Sequence, residues 1–95
     1  MTLLSLGKIV GTPGALSALA EAGLSPDFLI NKHIQGDWGD VGREDWEANQ
    51  QALKDGSRIL SVYQISPTVR VWIITEGMND SGVRESTCLL LPSEY

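Results

Sequence analysis

Val69-Arg70-Val71-Trp72-Ile73-Ile74-Thr75 is the densest β-forming stretch of the chain, and it is apolar on both faces. This pattern predicts the central strand of a small sheet. Before it, Ile59, Tyr63 and Ile65 alternate with Leu60 and Val62 from Ser57 onward. That predicts a second strand, joined to the first as a hairpin through Ser66-Pro67-Thr68. After it, Gly77 to Gly82 reads as a polar turn, and Val83 to Leu91 as a last strand that Pro92 ends.

The first half has a different period. Leu3 to Val10 predicts a short opening strand, closed by Gly11-Thr12-Pro13-Gly14. Thr12-Pro13 and Ser25-Pro26 each place a hydroxyl N-cap before a proline at the first helical position, where no N–H is needed. The first helix is expected from Pro13 to about Ala22, with Leu16, Leu19 and Ala20 as its apolar stripe and Gly23 as its C-terminal cap. The second is expected from Pro26 to about Ile34, with Leu29, Ile30 and His33 on one face and Gly36 as its stop. Three glycines between Gln35 and Gly42 predict a loop. A third helix follows from Arg43 to Lys54, packing through Trp46 and Leu53, with Asp55-Gly56 as its stop. The order β-α-α-α-β-β-β predicts a single small two-layer α+β domain over residues 1–95. Its sheet is expected to be mainly antiparallel, a C-terminal β-meander with strand 3 in the middle and strand 1 at an edge.

Composition narrows the function classes. A formal charge of −5 and a pI near 4.6 argue against direct contact with a nucleic-acid backbone and permit a basic protein partner, such as a nucleic-acid-binding complex. The plainer reading is that mild acidity keeps a small protein soluble. No apolar run approaches the roughly 20 residues that cross a bilayer, so no membrane contact is expected. Met1 to Lys8 has neither a basic leader nor a small-residue cleavage site, which makes a cytoplasmic protein the expectation. Cys88 is the single cysteine, so no internal disulfide forms, and no metal or other cofactor is expected.

Two sets of residues are candidates for function. Asp37, Asp40, Glu44, Asp45 and Glu47 surround Trp38 in the glycine-rich loop and the helix after it. Their spacing does not match a calcium loop. An aromatic ringed by carboxylates suits a protein-binding patch. The plainer reading folds Trp38 back as a plug over the sheet and leaves the carboxylates to favour the start of helix 3 through its dipole. The second set is His33, Arg58 or Arg70, and Thr75 or Glu76, the makings of a small nuclease-like enzyme or toxin acting on RNA. Its plainer reading packs His33 at the core edge, bonded to a carbonyl, and pairs the arginines across strands. Cys88 reads as a buried structural thiol. An exposed edge strand, the first or the last, could also pair with a second copy of the chain.

Gly7-Lys8-Ile9-Val10-Gly11-Thr12-Pro13-Gly14-Ala15-Leu16 resembles the LGxIVxTPGAL opening of a family of small bacterial "plasmid-related" proteins, carried on plasmids, integrated elements and phages. His33-Ile34-Gln35-Gly36-Asp37-Trp38-Gly39 is similar to that family's HxxGDWG segment. Trp72-Ile73-Ile74-Thr75-Glu76 and Leu89-Leu90-Leu91-Pro92-Ser93-Glu94-Tyr95 resemble its WIITEAD and LLLPxEY blocks. The chain departs at the last turn, where Gly77 to Glu85 is longer than the family's short RSVTT connection. The resemblance implies a role in the contest between mobile element and host, or in maintaining the element. Together with the acidic loop, it leads us to expect a non-enzymatic protein-binding module. Two forms of it are an inhibitor of a restriction or CRISPR complex and a regulator of the element.

Overall fold

The computed structural model describes residues 4–95. The elements are β1 (Lys8–Gly11), α1 (Pro13–Glu21), α2 (Pro26–Ile34), α3 (Arg43–Asp55), β2 (Ile59–Gln64), β3 (Arg70–Thr75), β4 (Ser86–Leu90) and a short 3-10 turn, Pro92–Glu94. This is the predicted β-α-α-α-β-β-β order and α+β class. β2, β3 and β4 form the antiparallel meander, and β1 pairs with β4 in parallel, giving the sheet order β1-β4-β3-β2. A parallel neighbour needs a long crossover, which the three helices and the first hairpin supply.

Local chemistry sets the helix bounds. The Thr12 and Ser25 hydroxyls accept from the backbone N–H groups of Ala15 and Phe28, as N-caps do. At the other end of α1, Gly23 has φ +72, its N–H donates to the Ala20 carbonyl, and Leu24 N–H donates to Leu19. Gly36 and Asp37 repeat this pair of bonds after α2, onto His33 and Lys32. Both ends are Schellman motifs, in which a left-handed residue turns the chain back onto the last carbonyls.

The pleat of the sheet separates two faces. Ile59, Ser61, Tyr63, Val71, Ile73, Thr75, Thr87 and Leu89 share one, and the helices pack there. Ala15, Leu19, Leu29 and Ile30 meet Tyr63, Val71, Ile73 and Leu89 in the larger cluster, while Leu4, Trp38, Ala52 and Ile59 form a second.

Three expectations about elements are corrected. Strand 1 begins at Lys8 rather than Leu3. Gly7 has φ +63, and a Cβ there would stand 2.4 Å from the Arg84 carbonyl oxygen, so the chain bends sharply at that point. Leu4 is buried and Leu6 packs on the core, while Leu3 lies outside the described residues. The stripe of α1 is rotated: Ala15 and Leu19 are buried, whereas Leu16 and Ala20 are exposed. Strand 4 begins at Ser86 rather than Val83, because Arg84 turns inward and is only 2% exposed. Its Nη1 donates to the carbonyls of Ser57 at 2.7 Å and Glu76 at 3.0 Å, and its Nη2 donates to Ala52 at 3.0 Å. One guanidinium thus ties the last turn of α3 to the start of β2 and the end of β3.

Candidate functional site

The loop between α2 and α3 is held against the β2 edge. Asp40 N–H donates to the Val62 carbonyl at 2.6 Å, and Val62 N–H donates to Trp38 at 2.9 Å. Gly39 between them has φ +74, and a Cβ there would lie 2.0 Å from the Val62 oxygen, so only glycine allows this approach. Tyr63 Oη donates to the Asp37 carbonyl at 2.6 Å, and burial pushes its phenol pKa well up.

This anchoring turns Trp38 inward, as the plug reading has it and not as an exposed recognition residue. It is 2% exposed, its Nε1 donates to Gln50 Oε1 at 3.1 Å, and its ring meets His33 edge-on at 5.7 Å. An indole buries a large apolar area once its single N–H finds an acceptor, and Gln50 supplies one. The five carboxylates stay outside. Asp37 lies 3.6 Å from Lys32 Nζ, Glu47 pairs with Arg43 at 3.2 Å, and Asp40, Glu44 and Asp45 are exposed. Asp37 and Asp40 share the rim of a groove of about 210 Å³ between α2 and β2, with Phe28, Lys32 and Tyr63. Glu44, Asp45 and Glu47 lie on α3, whose Asn49 binds the neighbouring stretch of the same edge at Leu60. The exposed aromatics here are Trp46 and Phe28, at 49% and 50%. Trp46 was expected to pack α3 onto the core, and Asn49 and Ala52 do so instead. Helical spacing puts Asn49 on one face with Trp46 and Leu53, with Ala52 beside it, and the packed face is rotated from Trp46 towards Asn49 and Ala52.

His33 is at the centre of a second constellation, wholly inside the protein. Its Nδ1 lies 2.5 Å from Ser61 Oγ and its Nε2 2.8 Å from Thr75 Oγ1. Thr75 continues to Thr87 at 2.8 Å, and Thr87 Oγ1 donates to the Leu6 carbonyl at 2.8 Å. The bonds have one consistent direction. A carbonyl only accepts, so the Thr87 proton is spent on Leu6 and Thr75 must donate to Thr87. His33 Nε2 then carries the hydrogen, and Nδ1 receives the Ser61 hydroxyl. Burial, and after it the positive charge of Arg84, lowers the His33 pKa from 6.5 to about 4, so the ring is neutral near pH 7.

A serine hydroxyl on a neutral imidazole has the makings of a nucleophile and its base. Ser61, His33, Thr75 and Thr87 are each 0% exposed, however, so no substrate reaches them. The other members of the proposed nuclease set are elsewhere. Arg58, Arg70 and Glu76 lie on or beside the strands at positions whose side chains face away from the helices. Arg58 bonds Tyr95, and Arg70 pairs with Gln64 near the far end of β3. His33 bonds hydroxyls rather than the expected carbonyl. Cys88 is half-buried on the helix-free face, where burial raises its pKa. Among the described residues no group of three or more His, Cys, Asp or Glu side chains could hold a metal ion, and no helix is long and apolar enough to cross a membrane. Compared with known proteins, the chain matches no family model, no curated protein and no solved structure.

Proposed function

We propose that this is a non-enzymatic, cytoplasmic protein-binding module that docks through the acidic surface along the β2 edge onto a basic partner. One observation carries the reading. Glu44, Asp45, Trp46 and Glu47 are all exposed in the first turns of α3, where Arg43 pairs with Glu47, and Asp37 and Asp40 are exposed in the loop before it, so a half-exposed indole belongs to an acidic stretch of surface. Large aromatics ringed by polar groups are the usual anchors of interfaces, and a negative rim steers a positive partner. Trp46 takes the anchoring role first assigned to Trp38, with Phe28 as a second apolar contact. In the mobile-element setting that the resemblance implies, the partner is a nucleic-acid-handling complex of the host, such as a restriction or CRISPR assembly. The nuclease-like alternative is disfavoured by the burial of His33.

The test is an affinity capture from host lysate, comparing wild type with Trp46→Ala and with the pair Glu44→Lys and Glu47→Lys. Each of these side chains is exposed, so the variants should fold. We expect one nucleic-acid-handling complex with the wild type, weakened about tenfold or more in each variant. The same complex, undiminished in both variants, would remove this surface from the assignment.

A further inference from the structure

The three helices pack on one face of the sheet, and the opposite face carries none of them. Trp72 lies on that face beside Val62 and Leu90 on the neighbouring strands. Tyr95 meets Trp72 edge-on with ring centroids 5.6 Å apart, and is itself 67% exposed. Arg58 Nη1 donates to Tyr95 Oη at 2.8 Å, and its guanidinium lies 5.7 Å from the ring centroid. Arg70 and Lys8 are exposed at strand positions facing the same way. Three of the chain's seven lysines and arginines therefore serve this one face. Past Arg70 the face runs into a shallow groove of about 530 Å³, lined by Gln64, Thr68, Leu91 and Ser93.

We propose that this face is a platform for single-stranded nucleic acid, with bases stacked on Trp72 and Tyr95 and phosphates held by Arg58, Arg70 and Lys8. Val62, Ile74 and Leu90 around the half-buried Trp72 are themselves buried, so the accessible rings are Tyr95 and the free part of Trp72. Exposed aromatic rings with guanidinium groups beside them suit unpaired bases, whose flat faces are free. From Arg70 to Glu76 the strand runs roughly 20 Å, at about 3.3 Å per residue. That is room for about four nucleotides, the lower end of what a small fold covers. The net charge of −5 counts against a polyanion for the chain as a whole. Charge acts locally, however. The acidic residues of the loop and α3 belong to elements held along the β2 edge rather than on this face, and fields between exposed charges fade over about 8 Å at physiological salt. The carboxylates of Glu94 and Glu76 also reach this face, where after burial their charges raise the Cys88 pKa. The inference stands independently of the protein-binding surface.

The test is fluorescence anisotropy of labelled twelve-nucleotide oligouridine and oligothymidine, and of a duplex of the same length, with the full chain at about 50 mM salt. Both single strands should bind at micromolar protein, and the duplex at least tenfold more weakly. Raising the salt to about 200 mM should weaken binding roughly tenfold, as expected for two or three phosphate contacts. Arg70→Glu and Tyr95→Ala lie at exposed positions and should each weaken binding about tenfold with unchanged circular dichroism, while Trp46→Ala should bind as wild type. No anisotropy change up to about 200 µM protein would overturn the proposal, as would undiminished binding in both platform variants. A dimer in sedimentation that Tyr95→Ala dissolves would assign the face to a second copy and overturn it equally.

Discussion

At the scale of single residues, His33 shows how burial converts a titratable group into a structural one. The ring is 0% exposed and both nitrogens are bonded, so it contributes to the core only while neutral. A histidine with a depressed folded pKa binds fewer protons folded than unfolded, so stability rises with pH across the gap between the two values. For His33 the contribution is complete above pH 6.5 and is lost as the pH falls towards about 4. That gap corresponds to roughly 3 kcal/mol. Asp55 and Glu94 have lowered pKa values, the first chiefly through its bond from Ser57 and the second through its bond from Thr12. Their contributions are lost only in more acid solution, so the interval from pH 6.5 to 4.5 isolates the histidine. Urea midpoints should fall steadily through that interval for the wild type and stay nearly level for His33→Gln. A flat wild-type profile from pH 7 to 5 would mean that the ring is free to charge.

At the scale of elements, Asn49 does the work of a strand. Its Nδ2 donates to the Leu60 carbonyl at 2.6 Å, and its Oδ1 accepts from Leu60 N–H at 3.1 Å. Two residues on, the 38–40 segment satisfies Val62 in the same way. The β2 edge is thereby closed by an amide and a loop, which removes a template for unwanted pairing. Asn49→Ala leaves a carbonyl and an N–H unpaired beneath α3, at a cost of about 2 kcal/mol. For a domain of this size that lowers the thermal midpoint by roughly 10 °C. Gln50→Ala is the useful comparison, because it removes only the bond to the Trp38 indole. A midpoint for Asn49→Ala within a degree or two of wild type would show that water replaces the amide freely.

What could be read from the sequence divides along the same lines. Helices and turns were legible because their signals are local: Thr12-Pro13, Ser25-Pro26 and the glycines after each helix act within a few residues. The meander was legible because alternation is local as well. Side-chain directions were not. For Trp38 the sequence left two directions open, because its acceptor Gln50 is 12 positions away, and the hydroxyl partners of His33 were not visible because Ser61 and Thr75 are 28 and 42 positions away. Arg84 looked like a solvent-facing strand residue, and its partners Ser57 and Ala52 lie 27 and 32 positions earlier. The segments quoted for the family resemblance meet in pairs. Thr12 Oγ1 donates to Glu94 at 2.5 Å, joining the TPG and LPSEY stretches, and His33 joins Thr75 of the WIITE stretch. Each of these bonds joins stretches far apart in the chain, and the exposed aromatic Trp46 lies outside all of them.

At the scale of the whole molecule, the two edges of the sheet are treated unequally, and this has a consequence for assembly. β2 is closed, whereas β1 runs along the other edge with all but its last residue exposed. Lys8 and Thr12 donate to Glu85 and Leu89 on the β4 side, so the alternating pattern turns the N–H groups of Ile9 and Gly11 outward. Ile9 is 49% exposed and Val10 40%, and Leu16 on α1 adds 43% beside Gly11. An apolar strand edge whose outward donors have no partner among the described residues invites an antiparallel copy of itself, which would extend the sheet across a two-fold axis. Four residues give few bonds, so the pairing should be weak, with a dimer fraction that grows over roughly 0.1–1 mM in sedimentation velocity. A lysine on an edge strand opposes such pairing at little cost to the fold. Ile9→Lys should therefore keep the wild-type thermal midpoint within a few degrees and remain monomeric across that range. If both proteins are monomers at the highest concentration, the β1 edge is inert. If both dimerise equally, the contact lies elsewhere, and the helix-free face around Tyr95 is the next surface to vary.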